Sequence, residues 1–188
     1  MKSYRLMMLA ILVSVAATQT LSAQGMKEKT VMVGGTAMYP SKNIIENAMN
    51  SKDHTTLVAA VKAAGLVETL EGAGPFTVFA PTNAAFNKLP KGTVENLLKP
   101  ENKAMLSSIL TYHVVAGKID SKALMAMIKK GGGKAELTTV NGQKLTASIA
   151  NGKVIITDAK GGKATVTIAD VYQSNGVIHV TDAVSMPK

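Results

Sequence analysis

The stretch Gly74–Pro90, GPFTVFAPTNAAFNKLP, holds all three phenylalanines of a chain in which aromatic residues make up only 4%. From Phe76 to Ala80 both side-chain parities are largely apolar: Phe76, Val78 and Ala80 share one, and Phe79 stands beside Thr77 on the other. A strand with one wet face alternates, so this pattern predicts a strand covered on both sides. Pro81 ends it, and Thr82 or Asn83 can cap a short helix running through Phe86 and Leu89. The elbow reads as a corner of the scaffold. A nucleophile needs a nearby base, Thr82 has none beside it in sequence, and the glycine-flanked serine of a hydrolase elbow is absent.

Upstream, Pro40–Ser41 opens a helix with Ser41 as the expected N-cap, and Ile44, Ile45, Ala48 and Met49 form its buried stripe. A second helix is predicted over about 56–64, with Leu57, Val61 and Ala64 inward and Gly65 as its stop. Downstream, a helix runs from about Glu101 to His113, Val114–Ala116 leave it extended, and Ser121–Lys129 are helical before three glycines. After residue 134 the period becomes two. KLTASIA (144–150) and ATVTIAD (164–170) alternate, and Asn-Gly pairs at 141, 151 and 175 mark hairpin turns. Helices first and antiparallel strands afterwards give a segregated α+β fold.

Lys2 and Arg5 precede an apolar run from Leu6 to Ala17, and Ala23 follows in TLSAQ, the pattern of a secretory signal over residues 1–23. That run is shorter than the roughly 20 residues a membrane span needs. Residues 24–40 lack periodicity and are expected to be an N-terminal arm, leaving 41–187 as one domain. A chain of this size buries roughly 70% of its unfolded surface and needs no staples, in keeping with its zero cysteines. Thiol chemistry and cysteine metal sites are thereby excluded.

Without residues 1–23 the chain carries 19 lysines, no arginine and 12 acidic residues, a net charge of +7. The lysines are scattered along the sequence. Nucleic-acid recognition leans on arginine forks and exposed aromatics, so a solvated surface is the expectation and nucleic acid is not an expected partner.

Three segments, taken together, resemble the fasciclin-type adhesion domain: GPFTVFAPTNAAFNKLP, LTYHVVAGKI (110–119) and NGVIHVTDAVSMP (175–187). They stand in the family's order and approximate spacing, and the similarity extends over about 41–187. The arm's VGGTAMYPSKNI (33–44) is also similar to small single-domain bacterial members. The resemblance implies a compact β-wedge flanked by short helices. It further implies an exported, non-enzymatic module for adhesion or protein interaction, in the periplasm or outside the cell.

It also implies Tyr112 and His113 as the binding residues, because in animal members this dipeptide region is tied to integrin-type receptors. Helical geometry places His113 within the stripe of Met105, Leu106, Ile109 and Leu110, so a buried imidazole bonded to backbone is expected. Tyr112, at the edge of that stripe, is expected to reach outward as the better contact residue. The expected partner is a cell-surface or envelope protein or glycan. The chain is expected to be monomeric, with at most weak self-association.

No cofactor or metal is expected. His54, His113 and His179 are far apart in sequence, and His179 reads as lying on a half-exposed sheet face. Asp158, Asp170 and Asp182, at strand ends, are expected to make local turn bonds. Met26, Met32 and Met38 suggest apolar docking of the arm before copper binding. The alternative function is a periplasmic carrier of a small apolar ligand, held in a groove between helices and sheet. A hydrolase finds no nucleophile–base pairing in its favour.

Overall fold

The computed structural model describes residues 29–188. The expected secretory signal lies outside the described residues, as does Met26. The chain opens with a hairpin, β1 (Val31–Val33) and β2 (Thr36–Met38), joined by Gly34–Gly35, both at positive φ. Helices α1 (Ile44–Asn50), α2 (Thr55–Ala64) and α3 (Val67–Glu71) follow. Then come β3 (Phe76–Pro81), α4 (Asn83–Phe86), α5 (Thr93–Leu97), α6 (Lys103–Tyr112) and β4 (Val114–Ala116). Helix α7 (Ser121–Lys130) leads into β5 (Lys134–Thr138), β6 (Lys144–Ala150), β7 (Lys153–Thr157), β8 (Lys163–Gln173) and β9 (Gly176–Thr181).

Strands β3 to β9 form one seven-stranded sheet in the order β4-β3-β9-β8-β7-β6-β5. Only β3 and β9 run parallel; every other neighbouring pair is antiparallel. The sheet curls until its ends meet. Val115 bridges Thr139, and the Val140 amide donates to the Val114 carbonyl at 2.8 Å. The expected α+β wedge is what the chain forms.

Curling gives the sheet two apolar interiors. Phe76, Val78 and Ala80 of β3 and Ile178 and Val180 of β9 face α1, α2 and α6. Phe79 faces the inside of the curl, with Tyr112, Val115, Leu124, Ile128, Leu137, Leu145 and Ile156. Strand β3 is therefore dry on both faces, as its sequence pattern predicts. Phe79 is 1% exposed.

Local signals decide several boundaries. Helix α1 begins at Asn43, not Ser41. The Asn43 side chain accepts from the Glu46 amide and the Glu46 carboxylate accepts from the Asn43 amide, both at 2.8 Å. Asn43 has an acid at the third helical position and Ser41 does not, and that reciprocal pair selects the start. Its buried stripe is Ile44, Ile45, Asn47 and Ala48, while Met49 is 53% exposed. Met105 on α6 also faces out, at 58%. Thr82 caps α4 by accepting from the Ala85 amide, whereas Asn83 reaches back to Lys52, Thr55 and Thr56 beside α2. In β6, Leu145 and Ala147 point inward, but Ile149 is exposed because it pairs with Val154 near the hairpin tip, past the core.

The arm is not irregular. Val33 and Met38 of the β1–β2 hairpin are buried in the helical core, although Met32 is exposed. Asn151 and Gly152 both take positive φ in a two-residue turn, as Asn-Gly should. The pair at 175 does something else. Asn175 uses its side chain to accept from the Ile44 amide and to donate to the Leu70 and Gly72 carbonyls, holding α1 and α3 to the sheet. Gly176 already belongs to β9, paired with Phe76, and a Cβ there would lie 2.1 Å from the Phe76 carbonyl oxygen. Gly176→Ala should therefore cost about 1–3 kcal/mol by pushing β3 and β9 apart, whereas Met49→Ala should stay within about 0.5 kcal/mol. Urea unfolding of the two variants measures both.

Candidate functional site

Tyr112 closes α6 and His113 is its C-cap, so the chain turns there from helix into β4. Consecutive residues at such a turn point to different interiors. Tyr112 enters the inside of the curl and is 0% exposed; its expected outward reach is not what the structure shows. The helical wheel puts Tyr112 at the edge of the stripe that faces α2, but the sheet folds over that edge and covers it. Its hydroxyl donates to the Lys144 carbonyl at 2.8 Å and accepts from the Ala159 amide at 2.9 Å. Burial pushes the phenol up from its ordinary pKa, the Ala159 amide opposes this, and nearby Asp158 adds to it.

His113 is buried and bonded to backbone, as expected. Nδ1 donates to the Ile109 carbonyl at 2.8 Å and Nε2 accepts from the Ser185 amide at 2.9 Å, which defines the neutral tautomer with its proton on Nδ1. The His113 carbonyl in turn accepts from the Phe79 amide. Asp158 links the segments that the two residues hold. One carboxylate oxygen accepts from Lys160 and Gly162 in the β7–β8 turn, and the other accepts from Met186 in the C-terminal segment. Tyr112 grips that turn, His113 grips that segment, and Asp158 ties the two together.

The aspartates divide. Asp158 makes the expected local turn bonds. Asp170 instead accepts from the Ser121 amide and hydroxyl at the start of α7, and Asp182 from the Thr165 amide across the sheet. His179 is 1% exposed, which corrects its expected half-exposed position. The parity is as read, but that face of β9 lies inside the curl. There the ring stacks on Phe79 at 5.6 Å between centroids and Nε2 donates to the Ile119 carbonyl.

His54 is buried as well. Its Nδ1 bonds the Ser51 hydroxyl at 2.9 Å, and its Nε2 has no hydrogen-bond partner among the described residues. Among the described residues, no three His, Cys, Asp or Glu side chains are grouped to hold a metal ion. The Thr82 hydroxyl oxygen accepts the capping bond from the Ala85 amide, and among the described residues no histidine ring is hydrogen-bonded to it. His54 and His113 both line a cavity of about 30 Å³ under α1, α2 and α6, otherwise walled by side chains such as Ile45, Leu57, Val61 and Ile178.

Sequence reasoning did not single out the buried amides. Asn47, 2% exposed, bonds the Tyr39 amide and carbonyl and the Gln173 side chain, fastening the hairpin to the end of β8. The available signal was an asparagine inside an apolar stripe, three residues after Ile44.

The fasciclin domain family model matches residues 52–187. Protein sll1483 of Synechocystis sp. is 51% identical over 160 residues, covering 85% of this chain and 82% of that protein. The cell surface glycolipoprotein MPB83 of Mycobacterium bovis is 34% identical over 160 residues, 82% of this chain and 64% of that one. The FAS1 domain pair of the insect cell adhesion molecule Fasciclin I superposes with a TM-score of 0.70 at 20% identity, over 78% of this chain and 51% of that one. The likeness to that pair is one of fold.

Two outcomes test the corner. Tyr112→Phe removes one hydroxyl from two buried backbone partners and should cost about 1–3 kcal/mol in urea unfolding. All three histidines have pKa values lowered from 6.5, chiefly by burial. The unfolded chain therefore binds protons before the folded one does. Stability should be flat from about pH 6.5 up to the range near 10 where an unfolded tyrosine ionises, and fall as pH drops below about 6.5, read from urea midpoints.

Proposed function

The chain belongs to the fasciclin domain family, known for adhesion-related proteins, and we propose that it is an exported, non-enzymatic module contacting a cell-surface or envelope protein or glycan. One observation carries this reading. Tyr112, His113, His179 and Thr82 are each committed to holding backbone in place, and His54, whose Nε2 is left over, faces only a closed cavity of about 30 Å³. What remains for a partner is the outer surface. Tyr112 and His113 then serve binding from beneath, as positioning residues that set the shape of the β7–β8 turn and the C-terminal segment.

Export draws support from the charged and apolar pattern of residues 1–23 and from a cell-surface relative, MPB83. The domain is proposed to extend beyond the earlier boundary at 41, since Val33 and Met38 contribute to its core. No helix among the described residues is long and apolar enough to cross a membrane. The carrier reading draws on the apolar cavity, but about 30 Å³ suits a water, which needs only ~10–15 Å³, and not a ligand needing ~300 Å³ or more. A carrier would have to part α1 and α2 from the sheet.

Immobilised protein should retain a protein or glycan from an envelope extract of its own organism, show no turnover on a panel of esters and peptides, and show no copurifying ligand by native mass spectrometry. Turnover lost on changing one named side chain would reject the module. A stoichiometric apolar ligand would favour the carrier.

A further inference from the structure

Register gathers lysines that the sequence spaces apart. Strands β5, β6, β7 and β8 each begin with lysine: Lys134, Lys144, Lys153 and Lys163. The antiparallel pairing sets Lys134 beside Ser148, Lys144 beside Thr138, Lys153 beside Ala150 and Lys163 beside Thr157. These positions share the outward parity of the sheet, opposite to Leu137, Leu145 and Ile156. All four lysines are exposed. Helix α7 packs through Leu124 and Ile128 on the inner face and leaves the outer one uncovered.

The face between the lysines is hydroxylated. Thr138, Thr146, Ser148, Thr157 and Thr165 stand on it around one apolar residue, Ile155, with Glu136 as its acid and no aromatic side chain. Antiparallel order puts Lys134 and Lys153 at one end, Lys144 and Lys163 at the other. The two members of each pair are two strands apart, roughly 10 Å. Charge concentrates in this part of the chain. Residues 129–163 contain seven lysines and two acids, a net +5, whereas residues 41–128 contain nine lysines and seven acids. One of the two acids, Asp158, is buried and occupied with three backbone amides.

Lysines do guard exposed sheet edges against pairing with other chains. That accounts for Lys134 on β5, an end strand, but β6, β7 and β8 are interior to the sheet order. Among the described residues Lys144 pairs with Glu136, and Lys134, Lys153 and Lys163 have no ion-pair partner.

We propose that the outer face of β5–β8 is a docking surface for an anionic polysaccharide, its carboxylate or sulfate groups on the four lysines and its sugar hydroxyls on the threonines and Ser148. This rests on the interaction-module reading above and names the class of partner. The convex outer face of the curl, with spaced cations and no walls, suits an extended polyanion rather than a small anion. Point-charge lysines serve carboxylates and sulfates. The arginine forks and aromatic platforms that favour nucleic acid are not on this face.

The test is a binding titration of the chain from residue 24 onward with heparin, alginate and neutral dextran at several salt concentrations. One variant carries Lys134→Gln, Lys144→Gln, Lys153→Gln and Lys163→Gln. A charge-matched control carries Lys62→Gln, Lys91→Gln, Lys99→Gln and Lys103→Gln, on the helical side. The expected result is salt-sensitive binding to the two anionic chains and none to dextran. The sheet variant should weaken it about tenfold or more and the control less than about threefold, with urea midpoints unchanged in both. Equal losses in the two variants would reduce the effect to net charge and overturn the site. Tighter binding of single-stranded DNA than of either polysaccharide, lost in the same variant, would overturn the class of partner. Failure to bind any polyanion, with retention of an envelope component intact, would overturn this inference and leave the module reading standing.

Discussion

Strand β3 has no wet face, and much of the fold follows from that. Its amides and carbonyls can find partners only along its edges, so β4 and β9 must flank it, and an uncompensated buried backbone group would cost about 1–3 kcal/mol. One face then needs helices and the other needs more sheet. The helices come from the chain before β4, and the sheet curls back to supply the second interior. Phe79 and His179 stack where the second interior meets β3 and β9, while Phe76 and Ile178 hold the first.

Much of this was legible in one stretch of sequence. Apolar residues on both parities of 76–80 announced the double burial, and the change of period after 134 announced the strands. What could not be read locally was closure. Tyr112 and His179 were assigned to the right faces with the wrong exposure, because whether a face is wet depends on a sheet edge about thirty residues away returning to cover it. The lysines were scattered by sequence and are gathered by register, a property of pairing rather than of composition. The β1–β2 hairpin escaped for a simpler reason. Three-residue strands are too short to show a period, although Gly34–Gly35 was the turn signal in plain view.

The polar interior shows how a chain without cysteines fastens distant segments. Asn47 joins the hairpin to β8, Asn175 joins two helices to the sheet, and Asp158 joins a turn to the C-terminal segment. Each is a short side chain serving several backbone groups, and each spends one buried polar residue to satisfy others that would be costly alone. The Tyr112–His113 pair belongs to this set. The dipeptide singled out by family resemblance is here an internal clasp between two loops.

The meeting of Val115 with Thr139 has a consequence for crowding by copies of the same chain. An open β-sheet border invites neighbouring molecules to zip on through their backbones. By turning the two borders of the sheet toward each other where Val114 and Val115 meet Thr139 and Val140, the chain withdraws part of its unpaired backbone from that traffic. Contact between copies is then left chiefly to side chains, and where these are charged, salt screens it.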